Sequence, residues 1–164
     1  MKKFITLLYL LTTPLLSQDI LPLRERASLI DQIQKERIEK LLPKLMEEQD
    51  IDVWVMITRE YNEDPIVKTL LPPTWLNARR RTILVFSKTE NGIDPVAISR
   101  YNFGNNIRSI WNKEQQPNQW QALSDYIVSQ NPQKIGVNMS EYYGIIDGLA
   151  KTDYDGLIQA LPSK

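Results

Sequence analysis

The sequence contains no histidine and no cysteine. Histidine titrates near neutral pH unaided and is the commonest metal ligand. Its absence therefore excludes Ser-His-Asp triads, HExxH zinc sites and histidine proton shuttles. The absence of cysteine removes thiolate nucleophiles, thiolate-bound zinc, disulfides and lipid attachment through sulfur, and it leaves the redox compartment open. A surplus of one charge is also missing. The 20 Lys and Arg balance 20 Asp and Glu, so nothing in the net charge calls for a nucleic-acid or anionic-membrane partner. There is no internal repeat and no low-complexity tract. A chain of 164 residues suits one domain, long enough to bury roughly 68% of its unfolded surface without a covalent or metal staple.

What is present begins with an export pattern. Met1, Lys2 and Lys3 precede the mostly apolar run Phe4–Leu16, and polarity returns at Ser17, Gln18 and Asp19. That order matches the basic, apolar and small-residue segments of a signal peptide spanning 1–17. The run is shorter than the roughly 20 residues that cross a bilayer, and Thr12, Thr13 and Pro14 weaken it, so cleavage is expected rather than anchoring. The expectation is an exported protein, periplasmic or secreted, with no stable membrane span after leader cleavage.

From Arg24 to Glu48 the composition favours helix, with Ile30, Ile33, Ile38, Leu41, Leu42 and Leu45 at roughly helical spacing. Pro43 should kink or divide this helix. Val53–Ile57 reads as a strand buried on both faces. Arg59–Trp75 is a long connection with one helical turn around Ile66–Leu70. Thr82–Phe86 and Pro95–Ser99 read as a hairpin whose loop, containing Asn91 and Gly92, exceeds the tight two-residue form. Tyr101–Asn118 looks irregular. An amphipathic helix from Trp120 should end near Asn131 and Pro132, followed by a strand at Lys134–Val137 and two closing helices capped by Ser140 and Thr152, the second with Asp155 three residues on as an imperfect capping box. Helices interleaved with at least four strands give an α/β domain with a mixed β-sheet flanked by helices.

The stretches Arg37–Leu42, Met46–Met56, Tyr61–Pro65, Pro73–Phe86, Ile135–Glu141 and Asp147–Leu157, in this order and spacing, resemble the N-terminal domain of secreted bacterial Xaa-Pro aminopeptidases of the creatinase family. The resemblance spans about 24–164 and implies a ribonuclease H-like fold. It also implies that the chemistry belongs elsewhere. In that family two aspartates, a histidine and two glutamates of a following pita-bread domain bind two divalent metal ions, and no residue here matches them. The catalytic metallopeptidase domain is absent from this sequence, so the resemblance implies no catalytic residue, no metal ligand and no cofactor in this chain. The partners it implies are the missing catalytic domain or homologous subunits.

Two acidic clusters, Glu47, Glu48, Asp50 and Asp52, and Glu60, Glu63 and Asp64, lie at a helix end and on a loop. Solvated capping and turn roles are expected of them rather than acid–base catalysis or calcium binding. Arg79, Arg80 and Arg81 precede a strand and suit ordinary surface pairing, a domain or subunit interface, or an anionic ligand. Strand alternation predicts that at most two of them share a face. Trp75 and Trp111 occupy long loops, where they suit either a small satellite core beneath the loop or an interface, whereas Trp54 and Trp120 follow core-facing patterns. Leu157, Ile158 and Leu161 are expected to form an exposed apolar face for a neighbouring domain. A free-standing binding module derived from the same domain is the alternative reading.

Overall fold

A computed structural model describes residues 20–162. The proposed leader at 1–17 lies outside the described residues. The N-terminal helical segment divides as α1 (Leu23–Glu36), a π turn (Arg37–Leu41) and α2 (Leu42–Glu48). Pro43 has no N–H to donate back to the preceding turn, and the wide π turn ends at Leu41, just ahead of the helix whose first turn holds Pro43. The buried stripe differs from the expected one. Gln34, Ile38, Leu42 and Met46 point inward, while Ile30, Ile33 and Leu41 stay at least 40% exposed. Gln34 is buried because its amide is spoken for: Nε2 donates to the Leu70 carbonyl at 2.5 Å and Oε1 accepts from Asn106 at 2.8 Å.

The sheet contains β1 (Val53–Arg59), β2 (Arg81–Thr89), β3 (Gly92–Ile98), β4 (Arg108–Ser109) and β5 (Ile135–Val137) in the order β4-β3-β2-β1-β5. β1, β2 and β3 form an antiparallel meander; β5 runs parallel to β1 and β4 parallel to β3. The hairpin is tighter than expected, because Ser87, Lys88 and Thr89 continue the ladder beyond the apolar run and Thr89 pairs with Gly92. Only Glu90 and Asn91 remain in the loop, and the positive φ falls on Gly92, at 119°. Pro95 is tolerated inside β3 because β4 pairs only with Val96 and Ala97, leaving that edge open at Pro95.

Alternation along the strands sorts the core into two layers. Met56, Leu84, Phe86 and Ala97 face Ile38, Leu42, Met46 and Phe103. Val55, Ile57, Ile83, Val85 and Val96 face Leu123, Ile127 and Leu157 on the other side. Those last residues belong to α4 (Gln119–Gln130) and α5 (Lys151–Ala160). A short helix α3 (Pro65–Lys68) lies between β1 and β2. The result is a mixed α/β domain with a five-stranded sheet between helices.

The closing segment departs from expectation. Ser140 Oγ accepts from the amides of Tyr142 and Tyr143 at a turn that leads into a 3-10 helix, Gly144–Ile146, rather than an α-helix. The residue preceding α5 is Ala150, so Thr152 lies inside the helix, and Asp155 pairs with Lys151 instead of completing a capping box. Among the described residues no helix is long and apolar enough to cross a membrane.

Candidate functional site

At the end of the sheet where β2 begins and β3 leaves, the 69–80 and 99–118 loops enclose a cleft of about 630 Å³. Trp75, Arg79, Arg80, Arg81 and Trp111 all line it, so the structure gathers every loop tryptophan and arginine that the sequence had singled out. Tyr101, Arg100, Lys113 and Glu60 complete the charged and aromatic lining.

All three consecutive arginines reach one cleft because the chain is not a regular strand there. Arg80 takes a left-handed conformation with φ 50°, which breaks the alternation that would have sent neighbours to opposite faces. β2 starts only at Arg81. The three still do not share one face of the sheet: the Arg79 guanidinium packs on Trp75, beside the first core layer, and that of Arg81 on Trp120, beside the second. Each arginine is held differently. The Arg79 guanidinium lies 4.7 Å from the Trp75 ring centroid and 5.7 Å from that of Tyr101. Trp75 is itself anchored edge-on against buried Phe103, with centroids 5.1 Å apart.

Arg81 belongs to an internal network. Its Nε donates to Gln119 Oε1 at 2.9 Å, its guanidinium lies 4.3 Å from the Trp120 ring, and Nη1 is 3.7 Å from Asp153 Oδ1. Burial lowers the Arg81 pKa, opposed by Asp153. Asp153, only 1% exposed, also accepts from Arg59 Nε and Nη2, both at 2.7 Å, and this bidentate bond raises the Arg59 pKa. By contrast Arg79, Arg80, Arg100 and Lys113 make no ion pair among the described residues. Trp111 donates its indole N–H to the Gln116 carbonyl at 2.7 Å, packs partly against the second core layer and also lines the cleft.

Members of both acidic clusters take up backbone roles, and Asp64 does so buried rather than solvated as expected. Buried Asp64 caps α3, accepting from the amides of Ile66 at 2.7 Å and Val67 at 3.0 Å, and its second oxygen accepts from Asn138 at 2.9 Å. Asp52 Oδ2 accepts from the amides of Gln133 and Lys134. Among the described residues no group of three or more Asp and Glu side chains is placed to hold a metal ion.

Leu157 is not part of an exposed face. At 2% exposure it lies in the core beneath the sheet, because it shares the inward side of α5 with Asp153. Ile158 is 53% exposed and Leu161 is partly buried; together with Ile127, Val128, Pro132 and Ile135 they line a separate apolar groove of about 490 Å³. Sequence reasoning did not single out Arg100, Tyr101, Lys113 or Asp153. The first three lie in irregular chain without periodicity, and Asp153 carries no local mark of its arginine partners. No family model, curated protein or solved structure matches the chain.

Proposed function

We propose that the chain is a non-catalytic accessory domain of an exported Xaa-Pro aminopeptidase-like metallopeptidase, contributing subunit contacts and walling a route for substrate. The observation that carries this reading is the convergence of Trp75, Arg79, Arg80, Arg81 and Trp111 on one solvent-open cleft. Rings and guanidinium groups of this kind are enriched where one protein surface meets another. The antiparallel meander with β5 added parallel beside β1 supports the ribonuclease H-like form of that domain. The zero histidine count supports placing any metal-assisted peptide hydrolysis on another polypeptide segment.

The purified chain should release no N-terminal residue from an Xaa-Pro peptide, with or without added manganese, cobalt or zinc. Turnover that co-purifies with the chain through several columns would overturn the reading. Reading the coding DNA past Lys164 separates it from the free-standing module: a downstream metallopeptidase frame supports the accessory domain, and an unrelated gene supports the module.

A further inference from the structure

We propose that the cleft between the 69–80 and 99–118 loops binds a short peptide segment bearing at least two carboxylates. This stands whether or not the accessory-domain reading holds, because it rests on the charge and shape of the cleft alone.

Four cations, Arg79, Arg80, Arg100 and Lys113, line the cleft without an ion-pair partner among the described residues. The lining contains one carboxylate, that of Glu60, and its Oε2 accepts from the Arg80 amide at 3.2 Å. Like charges gathered in a concave site focus a positive potential that an anion relieves. Arg79 stacked on Trp75 is restrained while its N–H edge stays available, and the planar fork of a guanidinium matches a carboxylate in two parallel hydrogen bonds. Exposed Tyr101, with partly buried Trp111 beside it, adds aromatic surface on which the apolar parts of a peptide can lie.

Arginine forks take phosphate as well as carboxylate, so the two anions separate on the backbone: tight phosphate cradles add free amides at a helix N-terminus or a nest. Here the Arg80 amide is taken by Glu60, and the first amides of α4 at Trp120 and Gln121 are taken by the Asn118 side chain. Recognition is left to side chains rising from separate loops, an arrangement suited to carboxylates spaced along an extended chain. The volume of about 630 Å³ falls in the range of sites that enclose a small ligand or a few residues of peptide.

The test titrates the full chain into a fluorescein-labelled six-residue peptide of alternating glutamate and phenylalanine, read by anisotropy, beside the same peptide with glutamine in place of glutamate. The acidic peptide should bind saturably and weaken as salt rises, and the glutamine peptide should bind at least about tenfold more weakly. Arg100→Gln with Lys113→Gln, both exposed, should cost about tenfold or more, whereas Lys151→Gln outside the cleft should leave binding unchanged. Melting curves matching the parent's confirm that the double variant is folded. Should it not fold, Arg79→Gln gives the same comparison. Equal binding of the glutamine peptide, or unaltered affinity in the folded variants, overturns the proposal. Tighter binding of inorganic tripolyphosphate than of the acidic peptide also overturns it, by assigning the cleft to phosphate.

Discussion

Glu60 holds both backbone polar groups of Arg80: its amide donates to the Arg80 carbonyl at 2.6 Å, and its carboxylate accepts from the Arg80 amide at 3.2 Å. This clamp stabilises a left-handed residue just where β2 begins, and so decides the direction in which three arginines leave the chain. Replacing Arg80 by glycine should leave stability within about 1 kcal/mol of the parent, since glycine adopts φ 50° freely but gains entropy when unfolded. Arg80→Val places a β-branched residue in the same conformation and should be less stable than Arg80→Gly by about 1–2 kcal/mol. Urea titration of the two variants makes the comparison.

Asp153 ties α5 to the first residues of β2 and the last of β1. Asp153→Ala leaves Arg59 and half-buried Arg81 without their shared anion, and the loss should be about 2–3 kcal/mol, below that of a fully buried pair because the Arg59 side chain is 44% exposed. Asp153→Asn keeps the shape and part of the hydrogen bonding, so it should fall between parent and alanine variant. Chemical denaturation of all three chains checks the order.

Gly156 lets α5 lie directly against Trp120. A methyl group there would come within 2.4 Å of the indole Cζ2 atom. Gly156→Ala should therefore destabilise by about 1–3 kcal/mol despite the higher helix propensity of alanine. The displaced indole would also lose its stacking with the Arg81 guanidinium, so a change in tryptophan fluorescence should accompany the lower melting temperature.

Asp94, Arg108 and Tyr126 predict two pH limits. The hydrogen bond from Arg108, 2.5 Å long, holds the Asp94 carboxyl below its ordinary value against the opposing effect of burial. A depressed carboxylate pKa means stability present above the unfolded value near 4 and lost as pH falls through the folded one. Arg108→Ala should flatten stability below about pH 4, by no more than about 1 kcal/mol because the pair is partly solvated. Burial raises the Tyr126 pKa, partly opposed by the hydrogen bond with Ser87. Its contribution is present below the unfolded value near 10 and is lost as pH rises through the higher folded one. Tyr126→Phe should remove that alkaline loss, seen as a flatter melting-temperature profile above about pH 10.

Within α5, Leu157→Ala should cost about 2–5 kcal/mol, whereas Ile158→Lys should leave the melting temperature near the parent's and reduce binding of hydrophobic dyes to the apolar groove. Thermal melts and dye titrations of the two variants separate core from surface.

The strands around Val53–Ile57, Thr82–Phe86 and Pro95–Ser99 were legible because each is a mostly apolar run rich in β-formers and too short for a free-standing helix. β4 was not legible. Arg108 and Ser109 join the sheet through backbone hydrogen bonds that no side-chain pattern announces. The tight hairpin was hidden for a related reason, since Ser87–Thr89 extend the ladder beyond the core and their side chains turn increasingly to solvent. In the cleft, Trp75, Arg79, Arg80, Arg81 and Trp111 drew attention by residue type. Their meeting depends on one left-handed residue and two loops crossing the same sheet end, which is tertiary information. Leu157 was misplaced because an apolar residue in a terminal helix reads alike whether it covers its own sheet or another domain.

Each margin of the sheet is cut short, at β4 with 2 residues and at β5 with 3. Long unpaired edges are templates on which further chains polymerise, and abbreviated ones give an incoming strand too few backbone partners to hold it. Concentrated solutions of the folded chain should consequently resist conversion into cross-β fibres, because a strand added at either outermost strand finds only a few backbone groups to hold it.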